Sequence, residues 1–567
     1  MQKMLNTRIL RPGLVAALML SGQDCHHARQ EHMIEISVRN EESHSIDNRL
    51  FGQFLERPSW GETGPESAVD SAGRLPPDIR EMLSDMYIPI VRFPGGTDID
   101  YIDWTDMISG APGRGPDRPV TVGHKGDTVS NRLGFDEYCA LSEDMGWESI
   151  IVVNFLDGLG GRKPLADAAR HAAGLVAYLN APVGARLPPG MPDWPGVRAR
   201  NGRTEPYNIR IFQIGNEWGM PNYHKLALQG APDPNKVADW YRECIVAYTD
   251  AMRAVDPTIE IIVDYLMQKE THKDVFADTE LTRHFDYVSR HAYQPGPIRD
   301  VTAEGRNVPY DSISPSAWLL ALSSMPGHFD SAGNTLAFGE EIVELRALGV
   351  PIAVTEWNWN PWSFTVPQDV LQFPRQHGTA LGVAGFIHGL MRQGDIIHLA
   401  TQSMLIGHRW DISAIRYDPD GTHPTYRNAQ GTVTEFYGKH HGGALLEADV
   451  RGVQKAPQPY AMGWAKPVDR VALQDILVTR DRTCVYVHCV NKALRDTIGV
   501  EIDVRELGIT DGTAIHRTLE GNSTEEFAKT YRWLNESAQD VDVRNDAVSV
   551  LLPPKSISVV RISGKSD

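Results

Sequence analysis

The stretch Ile209–Trp218, IRIFQIGNEW, decides how the rest of the chain is read. It is a short run of β-branched and aromatic residues, stopped by Gly215, with Asn216 and Glu217 at its C-terminal end. Such a run bounded by a turn signal reads as a buried strand. Seven further runs of the same kind are Leu50–Leu55, Ile88–Phe93, Ser149–Phe155, Ile259–Tyr265, Asp286–Ala292, Pro351–Trp357 and Ile396–Leu405. Between most of them the apolar spacing turns helical, as in Pro77–Met86, Phe135–Met145, Ala166–Leu179, Val237–Val255 and Thr379–Gln393. Alternating strands and helices predict βαβ units, and eight strands fit a (β/α)8 TIM barrel of the α/β class. The competing doubly wound sheet usually carries a Gly-rich phosphate turn after its first strand, and FGQFLERPSW has none.

After about residue 426 the pattern becomes all-β. Arg470–Thr479, Thr483–Asn491, Thr497–Val504, Ala547–Leu552 and Ser556–Ile562 read as strands separated by Gly, Asn and Asp, the signature of a C-terminal β-sandwich. Ile34–Arg39 is a strand ahead of the barrel. The expected organisation is a signal peptide or ragged terminus over 1–30, a strand joining the sandwich over 31–47, the barrel over 48–425 and the sandwich over 426–567. No repeat or low-complexity linker separates the parts, so they are expected to pack together.

Composition narrows the function. Among 567 residues, 55 basic against 73 acidic side chains give a net charge of −18. That argues against a nucleic-acid partner, which calls for a basic footprint, and against a polybasic membrane surface. No run is long enough to span a membrane. Lys3, Arg8 and Arg11 precede the apolar stretch Leu14–Leu20, the order of a signal peptide, yet Leu20 and Cys25 fit the cleavage rules badly. Export and cytoplasmic retention both stay open. The five cysteines are few and lack C-x-x-C spacing, so neither a disulfide framework nor a structural zinc is expected. His26 and His27 beside Cys25 fall in the terminal segment and are not read as a metal site.

Reacting groups of a barrel sit at the C-terminal ends of its strands. Glu217 ends the fourth run, and Glu356 ends the seventh, PIAVTEWNW. Strands four and seven face each other across the mouth. A carboxyl pair there suits glycoside hydrolysis, one as proton donor and one as ionised nucleophile. Asn216 is placed to hold a sugar hydroxyl. Trp218 is expected to raise the pKa of Glu217 by excluding water. Arg92, in IVRFPGG, is the supporting cation that keeps the nucleophile ionised, and Tyr293, two residues after His291, is expected to donate to it. Trp357, with Trp359 and Trp362, is read as a subsite wall, with core packing as the alternative. The Pro-rich segment from Gly110 to Gly126 reads as a long loop over the mouth.

These segments in this order resemble glycoside hydrolase family 51, the α-L-arabinofuranosidase family of the large retaining (β/α)8 clan. The likeness runs through IDNRLFGQFLE, IPIVRFPGG, NRLGFDEYCALSEDMG, VRARNGRTEPYNIRIFQIGNE, VTEWN, HGLMRQGDIIHLATQS and PPKSISVVRI. The resemblance implies that Glu217 is the acid/base and Glu356 the nucleophile. It also implies that Glu56, Asn216, His291, Tyr293 and Gln402 meet the sugar, and that the enzyme is a retaining exo-acting arabinofuranosidase without cofactor. Its partner would be an oligo- or polysaccharide, and homo-oligomers are frequent in the family.

The chain departs from the family pattern at the pocket. Thr97 follows Gly95–Gly96 where the family carries Asn, Gln53 and Arg57 stand in place of histidines, and the turn at Trp60–Gly61 and the loop GNEWGMPNYHK are altered. Thr97 lacks the paired donor and acceptor of an amide. Another sugar, such as a galactosyl, xylosyl or galactofuranosyl residue, is the alternative substrate, and a binding protein that has lost catalysis is the alternative class.

Overall fold

The computed structural model describes residues 33–57, 62, 64–115, 117–265, 274–276, 278–324, 330–339, 341–360, 363–509 and 512–564. The leader-like segment with Cys25, His26 and His27, the turn at Trp60–Gly61, and Trp362 lie outside the described residues.

Strand β1 (Met33–Ser45) precedes the barrel. The barrel strands are β2 (Gly52–Phe54), β3 (Ile90–Phe93), β4 (Glu148–Val153), β5 (Ile211–Ile214), β6 (Glu260–Asp264), β7 (Tyr287–Pro295), β8 (Ile352–Asn360) and β9 (Ile397–Ser403). They pair in parallel in chain order and close β9 onto β2, as the eight apolar runs predict. The main covering helices include α1 (Pro77–Asp85), α2 (Phe135–Met145), α3 (Leu165–Asn180), α4 (Val237–Arg253), α5 (Arg375–Arg392) and α6 (Ala429–Lys439). Helix α2 shows how the sequence sets an end. The Glu137 carboxylate accepts from Gly134 N at 3.0 Å, and Gly146 stops the helix with φ 72°.

One layer of the barrel interior positions the site. Ile90, Ile150, Ile211, Ile262, Tyr287, Ala353 and Leu399, one from each of seven strands, form an apolar plug. On β2, Gly52 abuts Ile90, and a Cβ there would lie 2.5 Å from its methyl group. Because side chains alternate along a strand, the residues two further on point the same way. From the plug these are Arg92, Val152, Gln213, Asp264, Ser289, Thr355 and Thr401, all polar but Val152, and two more steps give His291 and Ser403. The barrel is therefore apolar below and polar above, over a rise of one pleat repeat.

Nine strands form the β-domain, in the order β15–β14–β17–β12–β11–β10–β1–β13–β16. They are β10 (Ala444–Arg451), β11 (Gln474–Arg480), β12 (Cys484–Asn491), β13 (Ile498–Asp503), β14 (Gly512–Gly521), β15 (Leu534–Asp542), β16 (Ala547–Leu552) and β17 (Ser556–Gly564), together with β1. Strand β1 runs antiparallel to β10 and parallel to β13. Ile34, Ile36, Val487, Val500 and Val560 meet in one core. Cys489 lies in that core and Cys484 on the other face, as their odd spacing predicts. The four cysteines among the described residues are free and buried.

Barrel and β-domain are locked by buried polar groups. Asp475 on β11 accepts from His388 Nδ1 at 2.9 Å and pairs with Arg392, both on α5. Tyr437 on α6 meets His388 Nε2 at 2.8 Å. Although burial alone would raise Asp475, Arg392 and His388 hold it far below the usual carboxylate range. Burial keeps His388 below its ordinary value, so the ion pair is Asp475 with Arg392. Among the described residues no helix is long and apolar enough to cross a membrane.

Candidate active site

Glu217 and Glu356 meet at the barrel mouth. One carboxylate oxygen of each, together with a ring nitrogen of His291, lie within 4.8 Å of one another. Glu356 sits on β8 under two donors. Arg92 Nη1 lies 2.8 Å from its Oε1, and the Tyr293 hydroxyl donates to its Oε2 at 2.8 Å. Tyr293 also meets the Ser403 hydroxyl. Arg92 is fully buried, packs over the Phe54 ring, and uses its remaining donors on Gln213 Oε1 at 2.8 Å and Asn216 Oδ1 at 2.6 Å. A guanidinium spends a fixed fork on three acceptors here, which fixes Glu356 and Asn216 relative to each other.

Glu217 follows β5 in a left-handed conformation, with φ 50°. A non-glycine residue held there costs about 1–3 kcal/mol and persists only where its surroundings enforce it. Gly215, at φ 68°, allows the turn, and a Cβ on it would stand 2.7 Å from Phe155. The Glu217 side chain is partly open to the mouth, with Oε1 2.9 Å from His291 Nδ1. Burial by itself would raise Glu217, but the His291 hydrogen bond and charge, with Arg92 and Arg290, hold it below its ordinary value. Burial would likewise lower His291, but Glu356, Glu217 and Asp264 hold the imidazole above its ordinary value. Within the pair the proton is therefore favoured on His291 over Glu217.

This corrects the role expected of Trp218. Its ring is buried, stacked on Tyr241 with centroids 5.0 Å apart, and its indole N–H donates to Ile214 O at 3.2 Å. It is core behind the loop and does not lift the glutamate. Trp357 is corrected too. It is fully buried and packs on Phe386 of α5. Gln402 is likewise buried, its Oε1 accepting from Thr434 of α6 at 2.8 Å and from Gln53 at 3.2 Å. The reason is parity: Leu399, Thr401 and Ser403 point inward, so Gln402 points to the helices. The replacements Gln53 and Arg57 also turn away from the sugar side. Arg57 is buried against Glu66 at 2.7 Å and Asn131 at 2.5 Å, where it anchors the loops beneath the rim.

Glu56 and Thr97 flank one wall. The Glu56 carboxylate lies so close to Gly96 that a Cβ there would be 1.7 Å from Oε1. Thr97 is half-buried, and its carbonyl accepts from the Tyr223 hydroxyl at 3.3 Å. The segment expected to be a loop over the mouth runs into a short hairpin, Thr121–Val122 with Thr128–Val129, whose second strand lies beyond Gly126. Its tip is pinned beside Thr97, because His124 N and Nδ1 each lie 2.8 Å from Asp98 Oδ1.

Glu217, His291 and Glu356 could each offer one ligand atom to a cation. Arg92 already neutralises Glu356, and His291 already engages Glu217, so the set is charge-balanced without one.

Residues 82–305 match the family described as the alpha-L-arabinofuranosidase 1 domain. The chain is 23% identical over 545 residues to the intracellular exo-alpha-(1→5)-L-arabinofuranosidase of Streptomyces lividans, covering 91% of this chain and 73% of that one. It is 24% identical over 557 residues to the exo-alpha-(1→6)-L-arabinofuranosidase of Bifidobacterium longum, covering 91% and 94%. Along most of its length the chain is thus similar to α-L-arabinofuranosidases, and residues 82–305 carry the match to their domain family. Its fold superposes on the family 51 arabinofuranosidase of Xanthomonas axonopodis pv. citri with a TM-score of 0.68 at 19% identity, over 94% of this chain and all of that one.

Five site residues escape the motif reading: Gln213, Asp264, Ser289, Thr355 and Ser403. All five follow from the plug, because counting in twos from Ile211, Ile262, Tyr287, Ala353 and Leu399 reaches the polar layer. Glu356 is the residue that breaks the count. The β8 ladder slips between Ala353 and Glu356, so that Thr355 and Glu356, adjacent in sequence, both reach the site.

Proposed function

We propose that the protein is a retaining, exo-acting α-L-arabinofuranosidase, with Glu356 as nucleophile and Glu217 as acid/base. The observation that carries this is the approach of the two carboxylates to within 4.8 Å across the mouth. Retaining pairs stand about 5–5.5 Å apart, whereas inverting pairs leave about 6.5–9.5 Å for a water. Their surroundings divide the labour. Glu356 is held by a buried guanidinium and a phenol, which aim its carboxylate as attack requires. Glu217 is the more open of the two and shares a proton with His291, which a donor requires.

In the first step a Glu356 oxygen bonds to the anomeric carbon as the bond to the leaving oxygen breaks. The proton of the Glu217–His291 pair goes to that oxygen. In the second step Glu217 takes a proton from water, whose oxygen attacks the anomeric carbon and frees the Glu356 carboxylate. The full-length relatives support the sugar and the exo action, since both are named for the release of L-arabinofuranose.

A panel of nitrophenyl glycosides, with the first-formed anomer followed by NMR, tests the reading. Hydrolysis of the α-L-arabinofuranoside with the α-anomer formed first is expected. Preference for another sugar, or inversion, overturns it.

A further inference from the structure

Beneath Glu217 lies a buried carboxylate that the two-step mechanism does not use. Asp264 ends β6, one pleat repeat above the plug residue Ile262, and is almost inaccessible to solvent. Its Oδ2 accepts from the backbone N–H of Trp218 at 3.3 Å, the residue directly after Glu217, and its Oδ1 faces Gln213 Nε2 at 3.3 Å. Its register partner on β7 is Ser289, whose hydroxyl favours the ionised form of Asp264. The Ser289 hydroxyl meets the Thr355 hydroxyl, and Thr355 Oγ1 lies 2.9 Å from His291 Nε2. The imidazole's other nitrogen is on Glu217. A ring of neighbouring groups thus runs from Asp264 past Ser289, through Thr355, His291 and Glu217, and back through the Trp218 amide.

We infer that Asp264 is a positioning residue for the acid/base. Through this ring it holds the strained Glu217 turn and biases where the proton of the Glu217–His291 pair resides. The inference deepens the proposed arabinofuranosidase reading and rests on it.

Two features of the ring support this. Glu217 keeps a left-handed φ of 50° with a bulky flexible side chain, and the Trp218 amide is fixed to Asp264 just beyond it. Every side chain linking Asp264 to His291 is a hydroxyl, able to donate and accept, so the His291 tautomer is tied to the state of Asp264. The charged and titratable groups around the pair are Glu217, Glu356 and Arg92 at the mouth, Arg290 beside it, Asp264 below, and Tyr293 on β7. Around Asp264 itself stand His291, Arg92, Glu217 and the buried Asp100. Burial pushes Asp264 up to about 6 against the pull of His291 and Arg92. An ionised Asp264 favours the imidazolium; a neutral one leaves the proton to Glu217.

Asp264→Asn removes the charge yet keeps an acceptor for the Trp218 amide, and Ser289→Ala cuts the ring while leaving Asp264 in place. Both are assayed across pH on an arabino-oligosaccharide and on 2,4-dinitrophenyl α-L-arabinofuranoside, whose leaving group needs no proton. In Asp264→Asn the alkaline limb of kcat/KM is expected to move to lower pH by roughly one unit, a tenfold change in proton affinity. The oligosaccharide is expected to lose more rate than the dinitrophenyl glycoside. Ser289→Ala moves both readouts the same way by less, and it decides the matter if Asp264→Asn does not fold. An unmoved pH profile with equal loss on both substrates means a merely structural aspartate and overturns the inference. Wild-type protein that hydrolyses neither arabinofuranoside overturns the functional reading first, and this inference with it.

Discussion

His291 Nδ1 lies 2.9 Å from Glu217 Oε1 and 3.6 Å from Glu356 Oε2, so a single imidazole bridges the two carboxylates at the barrel mouth. Its charge is stabilised from both sides, and its proton is the one available for acid catalysis. As pH rises through the raised pKa of His291, that proton leaves. Activity on an unactivated arabinoside should therefore fall on the alkaline side, above the ordinary histidine value of about 6.5. In His291→Asn the limb should move to lower pH, because a carboxyl alone holds a proton less tightly than an imidazole between two carboxylates. A pH profile of kcat/KM checks this, and an unmoved limb would remove His291 from the proton inventory.

Removing the acid itself should depend on the leaving group. Glu217→Ala is expected to lose about 10²–10⁴-fold on an oligosaccharide, the usual worth of general acid–base catalysis. Glycosylation from a dinitrophenyl glycoside should survive, and added azide should restore turnover by giving a glycosyl azide of retained configuration. Equal loss on both substrates, with no azide product, would deny Glu217 that role.

Arg92 binds stability and catalysis together. Arg92→Met leaves the buried Glu356 without its cation, which in comparable buried pairs costs about 3–5 kcal/mol. Denaturant unfolding should register that loss alongside a collapse of kcat. Wild-type stability in the variant would mean that Glu356 finds its charge partner elsewhere.

Gln402 and Trp357 give the opposite pattern. Both face the helices, so Gln402→Met and Trp357→Phe should lower the Tm and leave KM for the arabinoside unchanged. Loss of the Gln402 oxygen takes the acceptor from the buried Gln53 Nε2, worth about 1–3 kcal/mol, while Thr434 still donates to Gln430 O at 3.1 Å. A raised KM at unchanged Tm would return either residue to the sugar.

Much of this architecture is legible in the sequence, and the reasons are physical. A barrel strand must be apolar on both faces at its base, so all eight runs stand out. The carboxylates stand out because polar groups end those runs. In the β-domain, β15 reads LNESAQDVD and is exposed along most of its length, so no alternation marks it. It is held instead by backbone pairing to β14. The aromatic side chains misled for a related reason. Trp218 and Trp357 neighbour the two glutamates in sequence, yet Trp218 turns back past the left-handed Glu217 onto Tyr241, and Trp357 packs outward on Phe386. The direction of the Glu217 shift was hidden as well, since it depends on His291, two barrel strands on by chain order and adjacent only in space.

The central claim is that Glu356 attacks the anomeric carbon while Glu217 manages the proton. Glu217→Ala incubated with 2,4-dinitrophenyl α-L-arabinofuranoside tests it most directly, because the first step then needs no acid while the second lacks its base. Digestion and mass spectrometry of the protein should find an arabinosyl group esterified to the peptide that carries Glu356. A label on any other carboxylate, or release of inverted sugar with no covalent adduct, would contradict the account.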